Sequence, residues 1–292
     1  MSPTHSHLSG AGGDGAIVGA AEPFRVFVGY DSREDIAYRV CRHSLLRRSS
    51  IPLEVIPIVQ QDLRESGLYW RDRDPTESTE FSFTRFLTPH LAGYHGWALF
   101  VDCDFLFVAD VADLLRLAAS AASSAAVMCV HHDYAPTEAT KMDGAVQTVY
   151  PRKNWSSMVL FNCGHPKNAA ALTPEAVSTR SGAYLHRFMW LNDDEVGEVP
   201  FVWNFLVGHN RVDPDDVAGT APRAIHYTSG GPWFERYRDC EFADLWNQER
   251  DAYEAEVKEN VVDGDGNGDG DGEEDGVKAA TQVAPAVVSV DA

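Results

Sequence analysis

The run Trp97-Ala-Leu-Phe-Val-Asp-Cys-Asp-Phe-Leu-Phe-Val108 constrains this chain more than any other stretch. A continuous apolar run of this kind suits a central strand covered on both faces. Yet it holds two carboxylates, Asp102 and Asp104, with five apolar residues before them and four after. Charges placed in apolar surroundings cost free energy unless something compensates them. Residues two apart on a strand point to the same side, so the two carboxylates repel. A divalent cation removes that repulsion. Oxygen-only ligands suit a hard ion such as Mn²⁺ or Mg²⁺, with water or substrate phosphate in the remaining positions. The competing reading is a pair that merely caps a strand end, and the apolar residues on both flanks argue against it.

Around this run the chain alternates strand and helix signals. Phe24–Val28 reads as a short strand ending at Gly29-Tyr30-Asp31. Ser32 with Asp35 resembles a capping box, and Ile36, Ala37, Val40, Cys41, Ser44 and Leu45 follow at helical spacing. Leu53–Val59 reads as a second strand. Phe83–Leu91 is helical in part, with a break or a new first turn at Pro89. Asp110 can cap a helix that carries Leu114, Leu115 and Leu117. Ala125–Val130 and Met158–Asn162 read as strands, Thr173-Pro174-Glu175 as a helix start, and Arg223–Tyr227 as a late strand. The repeated β-α order implies a largely parallel sheet with helices on both faces. Ligands in such sheets sit beyond the carboxyl ends of the strands.

Composition limits partners and compartment. Of a formal net charge of -20, half comes from residues 251–276, which hold eleven acids and one base. An acidic body is a poor polyanion binder, so nucleic acid is not expected as a partner. Cys41, Cys103, Cys129, Cys163 and Cys240 are widely spaced with no C-x-x-C pair, which reads as free thiols in a reducing compartment. No stretch approaches the ~20 apolar residues of a membrane span. The first 22 residues lack the basic start of a secretory signal. We therefore expect a cytoplasmic protein with no integral membrane segment, and give the glycosylation-like Asn154-Trp155-Ser156 little weight. Three zones are expected: a disordered leader over 1–22, one folded body over 23–258, and a disordered acidic Gly/Asp-rich tail over 259–292. The tail places acids near EF-hand offsets, but Gly270 stands where an apolar residue anchors such a loop. It reads as low-complexity sequence.

A second constellation lies late in the chain. Ile225-His226-Tyr227-Thr228-Ser229-Gly230-Gly231-Pro232-Trp233 puts a histidine at a strand end before a Gly-Gly loop. Such a loop lets backbone N–H groups approach phosphate oxygens, and a neutral imidazole can complete the coordination of Mn²⁺. A histidine buried for packing alone is the competing reading. His131-His132-Asp133-Tyr134 also follows a strand end and is either pocket lining or a solvated loop.

These residues, taken in order with Val26–Asp31, Ser82–Phe86, Met158–Asn162, Asp193-Asp194-Glu195 and Pro200–Asn204, carry a resemblance over roughly residues 24–246. The chain resembles the nucleotide-sugar glycosyltransferases of the GT-A fold, most of all the relatives in glycosyltransferase family 8. The fold implied is a single α/β, Rossmann-like GT-A domain. By the resemblance, Tyr30 and Asp31 contact the base and Arg85 the donor. Asp102 reaches ribose and metal, while Asp104 and His226 bind the metal. Asn162, Gly230, Gly231 and Trp233 belong to the donor-binding set, and Asp193 or Asp194 faces the donor sugar as the catalytic carboxylate. The family usually has a lysine before Pro-Trp, where this chain has Gly231; Lys141, Arg152 and Lys153 are candidates to replace it. The activity implied is hexosyltransferase-like: metal-dependent transfer, with retention, from a UDP-sugar to an acceptor that the sequence does not name, be it glycan, lipid, protein or small molecule.

Three other functions compete. A sugar-phosphate nucleotidyltransferase normally shows a Gly-rich basic loop after the first strand, and only Gly29 lies there. A glycoside hydrolase needs its carboxyls ~5–10 Å apart across the sugar. A non-catalytic nucleotide-sugar or metal-binding protein shares the same residues.

Overall fold

A computed structural model describes residues 22–73, 77–120, 124–133, 140–141, 145–146 and 151–264. Residues up to Tyr253 form one compact unit and Glu254 opens a second. The leader and the tail beyond Gly264 lie outside the described residues. The elements in chain order are β1 (Phe24–Gly29), α1 (Asp35–Arg48), β2 (Leu53–Ile58), α2 (Gln60–Glu65), α3 (Thr88–Leu91), β3 (Trp97–Val101), β4 (Phe105–Phe107), α4 (Val111–Ser120), β5 (Val127–Cys129), β6 (Thr140–Lys141), β7 (Ala145–Val146), β8 (Met158–Asn162), α5 (Pro166–Ala171), α6 (Pro174–Thr179), α7 (Gly182–His186), β9 (Val196–Glu198), β10 (Phe205–Leu206), α8 (Val217–Thr220), β11 (Ala224–His226) and α9 (Ala243–Gly264).

Six strands form the central sheet in the order β2-β1-β3-β8-β5-β9. All neighbours are parallel except those of β8, which runs against both β3 and β5. Helices flank the sheet, as the β-α order predicts. Its middle is closed to solvent: Val26, Val28, Leu99, Phe100, Val101 and Met158 through Phe161 are fully buried. That is why these strands read as unbroken apolar runs rather than as alternation.

The expectation of one strand from Trp97 to Val108 is corrected. β3 ends at Val101, and β4 belongs to a second sheet of order β10-β11-β4. Asp102-Cys103-Asp104 is the turn that carries the chain from one sheet to the other. The physical reason is the cost of the charges. Leaving the central sheet at Asp102 releases both carboxylates from a strand interior while keeping the apolar halves buried.

The capping box expected at Ser32 is corrected too. Asp31 caps the short helical turn Ser32–Glu34 by accepting the backbone N–H of Arg33 at 2.9 Å, no side chain caps α1 itself, and Ser32 Oγ donates to Glu80 at 2.6 Å. The other helix starts agree with the sequence. Asp110 accepts from Ala112 N at 2.9 Å, Thr173 caps α6 with Pro174 behind it, and Pro89 sits in the first turn of α3. All five cysteines are free, four of them buried. Among the described residues no helix is long and apolar enough to cross a membrane.

Candidate metal and nucleotide site

β1 and β3 are parallel neighbours with Val28 opposite Val101, so their carboxyl ends lie side by side. Gly29 closes β1 there. A side chain at that position would run into the Phe81 ring, with a Cβ only 2.4 Å from Cγ. The turn after β3 delivers Asp102 and then Asp104. β4 pairs antiparallel with β11, Phe105 opposite His226, and Tyr227 N–H extends the ladder to the Asp104 carbonyl at 3.0 Å. This register is what brings a residue 122 positions later to the same turn. His226 Nε2 lies 3.4 Å from Asp104 Oδ2, and one ligand atom from each of Asp102, Asp104 and His226 falls within 4.8 Å of the others. Phe105 stacks on the imidazole with centroids 4.4 Å apart, which sets the ring plane. Two carboxylates and an imidazole, largely buried at one point, form a donor set suited to Mn²⁺ or another divalent ion of similar softness. The residues present fit a metal.

Arg85 secures the first carboxylate. It lies on the short helical turn Thr84–Leu87 and is buried between the rings of Phe81 and Phe100. Its guanidinium meets Asp102 Oδ1 at 2.8 Å and Oδ2 at 3.4 Å, and donates to the Ser156 carbonyl at 2.7 Å. A two-pronged pair of this kind fixes orientation as well as charge. The Ser157 carbonyl accepts the N–H of Asp102 at 2.9 Å. The Cys103 thiol between the two aspartates is pushed well up by burial, with Glu34 and both aspartates adding to it.

Two further histidines border the site. His186 Nδ1 lies 2.9 Å from Ser156 Oγ. Burial, reinforced by the positive charges of Arg85 and Lys153, pushes it down to about 3. His132 is pushed down to about 3 by burial and by its neighbour His226, against a hydrogen bond to Asn204. Both rings are neutral near pH 7. His131 lies flat on Trp155, centroids 4.0 Å apart, and the Trp155 indole donates to the His132 carbonyl at 3.0 Å. Of the His131–Tyr134 run, Tyr134 falls outside the described residues. Lys153 is buried, and both its neighbours, Arg152 and Asn154, adopt left-handed backbone with φ of 62° and 65°.

The remaining expected residues divide. Tyr30 stands at the end of β1, with its hydroxyl donating to Asp35 Oδ1 at 3.0 Å. Asp31 is fully buried, and its carboxylate is taken up by donors of the chain itself. It accepts from Arg33 Nε at 3.0 Å, from Arg33 Nη2 at 2.7 Å and from the backbone N–H of Glu80 at 3.1 Å. Burial raises its carboxyl, but these bonds outweigh it and the net shift is downward. Asn162 is not brought to the site. β8 runs antiparallel, so Met158 lies opposite Val101 while Asn162 lies opposite Trp97, four residues away along the sheet. Residues Trp155–Ser157, before the strand, occupy the place that Asn162 was expected to fill.

Asp193 is exposed and bonded to Arg152, and Asp194 is exposed beside it. Gly230 has φ of 124° with the Tyr237 ring where a side chain would go, and its N–H donates to the Tyr227 carbonyl at 2.8 Å. That N–H is spent within the loop rather than offered to phosphate. Gly231 packs under the Trp233 ring. Trp233 donates from Nε1 to the buried Glu34 at 3.1 Å and lies against Trp246, which ties the loop to the start of α1. Glu34, Ser156, Ser157 and His186 were missed in the sequence because nothing in their spacing marks them. Asn204 enters the sequence reading only as the end of Pro200–Asn204, one of the segments that carry the resemblance. Its signal is the same as that of Asp102: a polar residue inside an apolar run, here Phe201-Val-Trp-Asn-Phe-Leu206.

The fold and the site together define a class: an α/β domain with the glycosyltransferase fold and a two-carboxylate, one-histidine centre at the ends of its strands. The glycosyltransferase GlyE of Streptococcus pneumoniae superposes with a TM-score of 0.50 at 15% identity, over 82% of this chain and 64% of that one. The bifunctional glycosyltransferase WbbM gives a TM-score of 0.49 at 15% identity, over 78% of this chain and 49% of that one. The chain thus spans about half to two thirds of the length of these two structures. No family model matches it. Protein CDI of Arabidopsis thaliana is 64% identical over 240 residues, which is 82% of this chain and 91% of that protein. The chain belongs to the same family as Protein CDI.

Proposed function

We propose that the chain is a metal-dependent glycosyltransferase resembling those of family 8. It moves a sugar, a hexose in this reading, from a UDP-sugar to an acceptor hydroxyl. The observation that supports this most is the convergence of Asp102, Asp104 and His226 from two sheets onto one point, with Arg85 bound to Asp102. Asp102, Asp104 and His226 would hold the cation, Mn²⁺ or Mg²⁺. When bound, that ion supplies Lewis-acid stabilisation of the negative charge on the leaving diphosphate.

The chain's own residues do the rest. Arg85 holds Asp102 in one orientation, so little reorganisation is left for the moment of reaction. Phe105 and the second sheet hold His226. Tyr30, at the end of β1, is the candidate for contact with the base. Arg152 and Lys153 bring positive charge to the segment before Ser156 and replace the lysine absent before Pro232. Asp193 and Asp194 remain the candidates to face the donor sugar, with Arg152 positioning Asp193.

A panel of nucleotide sugars with Mn²⁺ tests the proposal, scored for release of nucleoside diphosphate by the purified protein. Release from a UDP-sugar that stops on chelation is expected. Formation of nucleoside triphosphate and sugar 1-phosphate from the nucleotide sugar and added pyrophosphate, with no release of nucleoside diphosphate, would point to nucleotidyl transfer and overturn the proposal.

A further inference from the structure

The side-chain amide of Asn204 is fully buried, where it meets Ser157, His226 and His132. Ser157 Oγ donates its single proton to the Asn154 carbonyl at 2.7 Å. Toward Asn204 that hydroxyl can therefore only accept, and the atom it meets at 2.9 Å is Nδ2. The other end of the amide, Oδ1, lies 2.8 Å from His226 Nδ1. An amide oxygen only accepts, so Nδ1 carries the imidazole proton. Nε2 is then left with its lone pair toward Asp104, 3.4 Å from Oδ2. Two electron-rich atoms facing each other at that distance are the arrangement a cation relieves. The Ser157 carbonyl accepts the N–H of Asp102 at 2.9 Å. A continuous run of bonds thus links Asp102, just past the end of β3, to His226 on the second sheet through Ser157 and Asn204.

We propose that Asn204 is a positioning residue: it holds His226 in the Nδ1–H tautomer, with Nε2 presented to the point shared with Asp102 and Asp104. The consequence for metal binding rests on the metal-site reading above; the tautomer does not. Groups that accept the ring N–H from behind a metal-binding histidine typically carry a 10–100-fold effect on affinity. The effect should be selective. Mn²⁺ takes imidazole readily, while Mg²⁺ relies on oxygen ligands and water.

The test uses the full chain labelled with ¹⁵N-histidine and free of metal at pH 8, where the two imidazole nitrogens report the tautomer directly. It is followed by Mn²⁺ and Mg²⁺ titrations. Wild type should show His226 as Nδ1–H. Asn204→Leu should lose that preference and at least tenfold in Mn²⁺ affinity, with a much smaller change for Mg²⁺. Asn204→Asp, which still accepts from Nδ1, should keep both the tautomer and the Mn²⁺ affinity. An Nε2–H tautomer in wild type would overturn the proposal, and so would an Asn204→Leu protein with unchanged tautomer and Mn²⁺ affinity. If Asn204→Leu does not fold, the wild-type spectrum and the Asn204→Asp titration still decide. Nδ1–H in a wild-type protein that binds no Mn²⁺ would support the tautomer and overturn the function proposed above.

Discussion

Asp102 and Asp104 differ in how their charge is met. Asp102 has the Arg85 guanidinium at 2.8 Å, whereas Asp104 has the His226 ring at 3.4 Å. Asp104 is therefore the residue at which metal and stability separate most cleanly. Asp104→Asn is expected to weaken Mn²⁺ binding by more than tenfold while the metal-free protein melts at the same temperature or higher, because one of two neighbouring like charges is gone. A calorimetric titration with a thermal melt reads both; unchanged Mn²⁺ affinity would remove Asp104 from the site. At Asp102 the opposite holds. Asp102→Asn leaves the buried Arg85 without its carboxylate, and breaking a buried pair from one side costs about 3–5 kcal/mol. The expected result is a large drop in the denaturation midpoint even without metal, and an unchanged midpoint would contradict the pairing.

Elements position the site through register rather than through local propensity, and that decides what the sequence could reveal. The strands β1, β2, β3 and β8 were readable because each is a mostly apolar run bounded by turn signals. The break inside Trp97–Val108 was not. Phe105–Phe107 looks like a continuation of β3, and only its pairing with Ala224–His226 shows that it belongs to another sheet. Strand direction was equally hidden: the sequence Met158–Asn162 says strand, but nothing in it says antiparallel, and that sign alone moved Asn162 away from the site and brought Ser156 and Ser157 to it. The Asp-Cys-Asp turn and His226 were readable because polar residues in apolar runs need a reason. Glu249 shows the same logic in a helix. It is buried on α9, 2.6 Å from His43 Nδ1 and 2.6 Å from Arg48 on α1. Burial raises its carboxyl, but Arg48 and His43 pull the net shift downward. Glu249→Ala is expected to cost about 3 kcal/mol in urea denaturation and to leave Mn²⁺ affinity within twofold; a loss under 0.5 kcal/mol would show that α9 is held by its apolar face alone.

For the molecule as a whole, burial of neutral histidines ties stability to pH. His132 and His186 are held down to about 3 by burial first, then by neighbouring positive groups, and burial lowers His90 and His131 as well. In the unfolded chain a histidine takes up its proton near pH 6.5. Stability from these rings is therefore complete above about pH 6.5 and falls as the pH drops below it, because only the unfolded state gains protons. His132 and His186 each contribute up to about 1.4 kcal/mol per pH unit. Between pH 6.5 and 4.5 the urea midpoint should fall steadily, and His186→Gln should reduce the slope. A flat midpoint across that window would contradict the burial of these rings.

The most direct test of the central claim is a pair of UDP titrations, one with Mn²⁺ and one with chelator, on wild type and Asp104→Asn. The account predicts tight UDP binding by wild type only when Mn²⁺ is present, and weak binding by Asp104→Asn in both conditions. UDP affinity that is the same with and without Mn²⁺, or the same in the two proteins, would contradict it.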